Sequence, residues 1–212
     1  MVLDDERIDA CAAAFTTLGR LHLEAPDDAT LAVLWSMLAD WPLPDTDDAA
    51  EGLRRWARSR DAREDAATIA RDHNRLYGVS AKALVAPFES VHRDDDGLVF
   101  DTSTLAVREA YRDRGLRAPR FNREPDDHVG LEFDFVGRLA LRALDALERD
   151  DPAAAEGEVA AAGEFLSAHL LQWAPGMLRT ASDAAGTHFM AGLALLSLGA
   201  LESAREDLAP DA

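Results

Sequence analysis

Cysteine is almost absent from this chain of 212 residues, and its absence limits how the chain can be stabilised. Cys11 is the one cysteine, so neither an intramolecular disulfide nor a zinc ribbon with several thiolate ligands can form. A chain of this length can bury roughly 70% of its extended surface, which is enough for a stable hydrophobic core. We therefore expect one domain over residues 1–212 that folds without disulfides or metal.

Long apolar runs and a basic N-terminal segment are also missing. The longest apolar run, 189–201, is interrupted by two glycines and a serine, and it is shorter than the roughly 20 residues that a membrane-spanning helix requires. Residues 4–6 are acidic, whereas a secretory signal peptide begins with a basic segment. We therefore expect a cytoplasmic protein with no stable membrane insertion.

Lysine is scarce as well, and acidic residues are in large excess. Lys82 is the one lysine, and 40 acidic side chains against 22 basic ones give a formal charge of −18. A surface of strongly hydrated carboxylates suits a cytoplasm at molar salt, where the screening length falls to about 3 Å. The composition predicts a halophilic source, such as a halophilic archaeon. It also argues against nucleic acid as a partner, because such a surface repels phosphates.

Glycine-rich motifs for nucleotides and nucleophiles are absent. The chain has no G-x-x-x-x-G-K-[ST] loop, no G-x-G-x-x-G after a strand and no G-x-S-x-G. Such motifs hold phosphates on backbone N–H groups or expose a nucleophilic serine, so P-loop enzymes and α/β-hydrolases are excluded. Helical enzymes without these motifs usually rely on metals held by carboxylate and histidine, which directs attention to residues 124–132.

Helical periodicity is present along nearly the whole chain. Apolar residues recur at intervals of three and four, beginning with Ile8, Cys11 and Phe15, whereas alternation with a period of two is not sustained. This pattern predicts an all-α fold, a compact bundle of many helices. The predicted helices are a first one that ends before Pro26, followed by 28–40, 47–59, 62–77, 103–114, 126–149, 152–173 and 182–208.

Particular predictions concern the centre of the bundle and the longest connection. The helix 126–149 has the widest apolar face, so we expect it to be central. Residues 78–101 lack a sustained period but contain too many apolar side chains for a disordered linker, which predicts an ordered loop packed on the helices. Gly115 is placed to end the helix 103–114.

The segment 124–132 allows three interpretations. His128 and Glu132 are four residues apart on one helix face, so they could bind a metal together with Asp127 or Glu124. An aspartate pair after a proline could instead cap the following helix by accepting its free N–H groups. The imidazole and the carboxylates could also bind a ligand. The metal interpretation would make the protein a metal-dependent hydrolase or lyase.

Several segments together resemble a known family. They are NRLY at 74–77, LVAPFESVH at 84–92, STLAVR at 103–108, EPDDH at 124–128 and FLSAHLLQWAP at 165–175. In order and spacing they are similar to the motifs of the TorD/DmsD family of chaperones for molybdenum enzymes. The resemblance covers residues from about 70 to 200 clearly, and the N-terminal part only by its helical layout.

The resemblance implies an all-helical, non-enzymatic cytoplasmic protein without a cofactor of its own or a bound metal. Such a chaperone binds the apo form of a molybdopterin-dependent reductase, of the DMSO or TMAO reductase type, and its twin-arginine signal peptide. It holds this client for cofactor insertion before export. The resemblance also implies a monomer or a helix-swapped dimer, for which the irregular stretch 115–125 is a candidate hinge.

The resemblance also assigns a binding site for the signal peptide. It places the family's apolar cluster and its acid–imidazole pair on His73, Leu76, Tyr77, Pro87, Phe88, Asp127 and His128. We expect a groove floored by Tyr77 and Phe88 for the apolar part of the peptide, with Glu124 and Asp127 beside it for the arginines. His73 and Phe88 stand where relatives often carry tryptophan, which predicts a different client. We expect structural roles for His169 and Trp173.

Overall fold

The computed structural model describes residues 5–43, 46–78, 83–94, 102–119 and 125–209, and over these ranges it confirms the all-α prediction. These ranges contain no β-strand, only one isolated bridge. The described helices are α1 (Asp5–Leu23), α2 (Asp28–Ser36), α3 (Asp47–Ala62), α4 (Ala66–Tyr77), α5 (Glu89–Arg93), α6 (Thr102–Asp113), α7 (Val129–Glu148), α8 (Pro152–Phe165), α9 (Leu171–Ala184) and α10 (His188–Leu208). A 3₁₀ turn at Leu38–Asp40 follows α2, and a π-helical turn at Leu166–Leu170 joins α8 to α9.

Helix α7 lies against α1 at the centre of the bundle, as its wide apolar face predicted. The two backbones cross closely at a pair of glycines. A Cβ added at Gly19 would lie 2.7 Å from the carbonyl oxygen of Gly130, and one added at Gly130 would lie 2.6 Å from that of Gly19. Beside this crossing the buried rings of Phe15 and Phe133 stack with their centroids 5.0 Å apart. The absence of two side chains therefore sets the distance between the central helices.

Helix α10 packs along α3 on the other side of the core. The indole of Trp56 is fully buried, stacks on Phe189 with a centroid separation of 5.1 Å, and donates its N–H to the carbonyl oxygen of Phe189 at 3.0 Å. A buried tryptophan with its one polar atom satisfied contributes a large apolar area without an unpaired donor. This contact anchors α3, which the sequence predicted from Leu53 and Trp56.

The prediction that the last helix begins near residue 182 is wrong, because α10 begins at His188. The helical structure is interrupted between α9 and α10. There the carboxylate of Asp72 accepts the N–H groups of Gly186 at 2.8 Å and Thr187 at 2.7 Å. Glu64 accepts the first two N–H groups of α10 at 2.8 and 3.0 Å. Carboxylates that are far away in sequence thus satisfy the free helix end, and periodicity within the segment carries no sign of them.

The prediction that the preceding helix ends before Pro175 is also wrong. Helix α9 continues through Pro175 to Ala184. A proline inside a helix costs about 3 kcal/mol, because it has no N–H and its ring crowds the preceding turn. Trp173 and Met177 on either side of the proline are buried, and burial of each large apolar side chain contributes about 1.5–3 kcal/mol. Tertiary packing therefore outweighs the local signal.

Other helix ends differ by smaller amounts. Helix α4 begins at Ala66 instead of residue 62, because α3 runs on to Ala62 and Arg63 ends it in the left-handed conformation with φ 56°. The predicted helix 28–40 ends at Ser36 and tightens into the 3₁₀ turn. Gly115 has φ +66° just after α6, which confirms its predicted role at that helix end.

The long connection between α4 and α6 is packed on the helices where the structure describes it. The N–H of Val85, which is buried, donates to the carbonyl oxygen of Leu76 at 2.9 Å, and the short helix α5 follows, which the sequence did not predict. Residues 79–82 and 95–101 of this connection, and residues 120–124 of the candidate hinge, lie outside the described ranges.

Candidate functional site

Two of the motif segments lie side by side at the start of α7. The N–H of Val129 donates to the carbonyl oxygen of Pro87 at 2.8 Å, and Phe88 and His128 form the isolated antiparallel bridge. Their rings meet edge to face with centroids 5.3 Å apart. We call this pairing of residues 87–90 with 127–129 the junction. It joins the aromatic element and the acid–imidazole element that the resemblance assigned to one site.

Asp127 holds the junction with three oxygen atoms. Its side chain is fully buried; one carboxylate oxygen accepts the N–H of Ser90 at 2.8 Å and the other accepts the hydroxyl of Thr104 at 2.8 Å. Its carbonyl oxygen accepts the N–H of Glu89 at 3.0 Å. Asp127 therefore satisfies the start of α5 and ties that helix to α6.

The aspartates do not cap the helix that follows them, which corrects the capping interpretation. His128 is the N-cap of α7, where its Nδ1 accepts the N–H of Gly130 at 3.0 Å, and Asp126 forms an ion pair with Arg108 instead. His128 is half-buried. Burial, reinforced by the charge of His73, lowers the pKa of His128 to about 3. A neutral imidazole is what this cap requires, because a protonated Nδ1 could not accept the bond.

Glu132 lies fully buried one turn into α7, beneath the junction. One carboxyl oxygen accepts the indole N–H of Trp173 at 3.2 Å, and the other has no hydrogen-bond partner among the described residues. Burial raises the pKa of Glu132 well above its usual range, and the charges of Glu89 and Asp127 raise it further. The protonated form of Glu132 is therefore favoured in the folded protein relative to an exposed glutamate.

Glu89, the first residue of α5, is a buried charge that the sequence analysis missed. Its Oε2 lies 2.9 Å from Nδ1 of His169, and its other oxygen pairs with Arg93. The sequence contained one indication that Glu89 has a special role, because it is the one charged residue in the segment 84–91. Its partner His169 is distant in sequence, so the pair could not be predicted. His169 and Trp173 thus have structural roles, as the sequence predicted. His169 contacts the buried carboxyl group of Glu89, and Trp173 contacts that of Glu132.

A second buried polar group joins α1, α4 and α10. Nδ1 of His22 lies 3.1 Å from the Tyr77 hydroxyl, Nε2 of His22 lies 2.8 Å from the Ser197 hydroxyl, and Nε2 of His73 lies 3.1 Å from the carbonyl oxygen of His22. Burial lowers the pKa of His22 and raises the pKa of Tyr77. Leu76, beside Tyr77, is fully buried in the core.

The structure therefore places the predicted peptide-binding residues in two layers. Phe88 and His128 are half-buried at the junction. His73, Leu76, Tyr77, Pro87 and Asp127 are buried. Tyr77 was expected on the floor of an open groove, but it lies in the core with its hydroxyl engaged by His22. Glu124 lies outside the described residues.

The predicted metal ligands are occupied by other contacts. Asp127 bonds to Ser90 and Thr104, His128 bonds to Gly130, and Glu132 bonds to Trp173. Within the described ranges no group of three histidine, cysteine or acidic side chains is arranged to hold a metal ion.

A cavity of about 160 Å³ lies elsewhere, between the end of α6 and α7. Tyr111, Leu116 and Phe135 contribute apolar lining, and Arg117 and Arg138 also border it. None of the described residues that we predicted for peptide binding borders this cavity.

The sequence predicted no stable membrane insertion. Among the helices in the described ranges, none combines the length and the apolar character that crossing a membrane requires.

Known proteins are similar to this chain over much of its length. A family model described as the nitrate reductase delta subunit matches residues 43–179. The chain is 29% identical over 140 residues to "Chaperone protein TorD" of Vibrio cholerae, covering 65% of this chain and 60% of that protein. It is 28% identical over 122 residues to "Probable Tat proofreading chaperone DmsD" of Haemophilus influenzae, covering 58% and 53%. The matched region thus spans between 53% and 60% of the length of these relatives.

Proposed function

The chain belongs to the nitrate reductase delta subunit family, and on that premise we propose that it is a maturation chaperone for a molybdopterin-dependent reductase of the DMSO or TMAO reductase type. It binds the twin-arginine signal peptide of the apo-enzyme and holds the enzyme for cofactor insertion before export. It performs no catalysis, works in the cytoplasm and folds as one all-helical domain. The relatives named as TorD and DmsD chaperones support this proposal.

The junction is the observation that carries the proposal. It unites two family motifs in one surface feature, where the rings of Phe88 and His128 are half-buried and in contact. These rings contact the apolar part of the signal peptide, beside Pro87, whose carbonyl oxygen accepts the N–H of Val129, whereas Leu76 and Tyr77 contribute by packing in the core. An apolar peptide segment gains affinity when it covers half-exposed aromatic rings, because water leaves both surfaces.

Asp127 contributes to this site by holding its shape. Both of its carboxylate oxygens already accept hydrogen bonds, and the side chain is fully buried. An arginine of the signal peptide could pair with it only by displacing the N–H of Ser90 or the hydroxyl of Thr104. We assign the attraction of the arginines to the overall negative charge of the chain, which is −18.

Calorimetric titration with twin-arginine signal peptides from the host's molybdenum reductases tests this function. The titration is run in molar KCl, because at low salt an acidic protein attracts any arginine-rich peptide. We expect saturable binding of one peptide. Phe88→Ala should bind it about tenfold more weakly, since the substitution removes a large apolar area that the bound peptide would cover. Leu141→Ala is the matched control, because Leu141 is 46% exposed on the outer face of α7.

The outcomes separate a specific site from general attraction. Equal affinities for the signal peptide and for a scrambled peptide of the same composition would contradict the proposal, as would the absence of binding to every such peptide. Sedimentation at the same salt distinguishes the two proposed assembly states, a monomer and a dimer that exchanges helices at 115–125.

A further inference from the structure

The π-helical turn at Leu166–Leu170 places the side chains of His169 and Trp173 in contact with buried carboxyl groups. In this turn the N–H of Leu171 reaches back to the carbonyl oxygen of Leu166, so that one extra residue is inserted and the following helix is rotated by about 100°. His169 then faces Glu89, and Trp173 faces Glu132. π-helical turns are rare within α-helices and occur frequently at functional sites.

Helix α5 depends on this turn for its position. A helix of five residues is too short to be stable alone, so contacts to its surroundings must hold it. Arg93 donates to the carbonyl oxygen of Ala168 at 2.8 Å, and the ring of His92 stacks on Trp173 with a centroid separation of 5.3 Å. Together with the Glu89–His169 contact, these interactions hold α5 against the turn and the start of α9.

The Glu89 carboxylate is the centre of this attachment. It is fully buried between His169 and Arg93. Removing one partner of a buried carboxylate strongly destabilises the folded arrangement, because the remaining charge is poorly compensated. Loss of the imidazole would therefore favour a movement of α5 that lets water reach Glu89. Phe88 directly precedes Glu89, and Ser90 bonds to Asp127, so the same movement would change the junction.

We propose that His169 is a positioning residue for the signal-peptide site: through Glu89 it fixes α5, and thereby it fixes Phe88 at the surface without itself touching the peptide. This inference rests on the proposed function. His169 is about 9% exposed and its ring stacks on Phe165, so it faces the interior of the bundle and not the surface at the junction.

The test compares two substitutions of His169 in the full chain. His169→Leu removes the donor, whereas His169→Asn keeps an amide nitrogen near the position of Nδ1. We expect His169→Leu to weaken binding of the signal peptide about tenfold in molar KCl, the effect of losing one hydrogen bond to a buried charge. His169→Asn should restore most of the affinity. Ser197→Ala, which removes a buried hydroxyl partner of His22, is the control for a general loss of stability.

Hydrogen exchange provides a readout that does not depend on the peptide. The N–H groups of Glu89 and Ser90 bond to Asp127, and they should exchange at least about tenfold faster in His169→Leu than in Ser197→Ala. If His169→Leu does not fold, Glu89→Gln gives the same comparison with an isosteric side chain.

Opposite results would overturn the inference. Unchanged affinity of His169→Leu, or unchanged exchange at Glu89 and Ser90, would remove His169 from the site while leaving the chaperone function intact. A wild-type protein that binds no signal peptide would contradict the proposed function itself. Exchange at these two N–H groups would still show whether His169 holds α5.

Discussion

At the scale of single residues, the acid–imidazole pair has roles that its chemistry alone does not reveal. Asp127 could have bound a metal, capped its own helix or paired with an arginine, and the structure shows it capping α5 and accepting the Thr104 hydroxyl. His128 is the cap of α7 instead. An acidic residue before a helix predicts a cap, but the neighbouring helix that competes for it is distant in sequence.

Asp127→Asn should therefore destabilise the protein. One carboxylate oxygen becomes an NH₂ group, which cannot accept a bond, so either the Ser90 N–H loses its acceptor or the Thr104 hydroxyl has to turn from donor to acceptor, and the negative charge is lost in both cases. We expect a loss of about 2 kcal/mol in the free energy of unfolding, measured by urea denaturation in molar KCl. Asp145→Asn on the exposed side of α7 should change stability by less than about 0.5 kcal/mol, and equal effects would contradict the assigned bonds.

The buried carboxyl of Glu132 predicts a pH dependence of stability. The folded protein keeps this proton to a higher pH than the unfolded chain, where glutamate titrates near 4.3. The contribution of Glu132 to the free energy of unfolding is therefore fully present below about pH 4.3. It is lost as the pH rises toward the raised pKa of the folded state. Glu132→Gln keeps an oxygen for the Trp173 N–H and cannot ionise.

Urea denaturation at a series of pH values measures this effect. The stability of Glu132→Gln relative to wild type should increase as the pH rises above about 4.3. Parallel pH profiles for the two proteins would show that Glu132 has no raised pKa.

At the scale of helices, packing decided the boundaries that periodicity left open. The predicted existence and order of the main helices are confirmed, because burial of one helix face imposes a repeat of three to four residues. The predicted start of α10 was wrong, because Asp72 and Glu64 satisfy N–H groups more than a hundred residues away. The predicted helix end before Pro175 was wrong, because the buried side chains of Trp173 and Met177 favour continuation of α9. The short helix α5 was missed because its stability comes from Asp127 and His169, not from its own five residues.

The close crossing of α1 and α7 gives a prediction at the scale of helices. In Gly19→Ala the new Cβ would lie 2.7 Å from the carbonyl oxygen of Gly130 and 2.8 Å from the N atom of Asp134. Both atoms belong to the backbone, so the helices must separate, which should cost about 3 kcal/mol. Thermal and urea denaturation measure this loss.

Gly157→Ala is the matched control for that substitution. Gly157 lies on the exposed side of α8, and a Cβ there would meet nothing within 4 Å. Alanine should therefore stabilise the protein by about 0.5–1 kcal/mol, because it is the better helix former. A loss of stability in Gly157→Ala similar to that of Gly19→Ala would contradict the close approach as the cause.

At the scale of the whole molecule, charge is the dominant property. The formal charge of −18 repels itself in the folded state, and salt screens this repulsion as the screening length falls from about 10 Å at 0.1 M to about 3 Å at 1 M. We expect the urea midpoint to rise steadily with KCl up to molar concentrations. A midpoint that stays constant or falls over this range would contradict the prediction of a protein suited to high salt.

Local periodicity and the order of the motifs were enough to predict the all-α class, the main helices and the family. The helical class follows from local periodicity, and the family from motifs that keep their order along the chain. The resemblance placed the aromatic and acid–imidazole elements in one site; Phe88 and His128 are adjacent in the structure, and their role in binding a peptide stays a prediction.

The contacts that each of those residues makes depend on how the helices pack together. Leu76 and Tyr77 lie in the core while Phe88 and His128 are half-buried, and Glu89 contacts His169, which is 80 positions away in the sequence. Periodicity indicates which side of a helix is buried, but it does not indicate which other helix packs against that side. The functions of buried carboxylates depend on those neighbours, because burial without a partner is costly and each partner comes from another part of the chain.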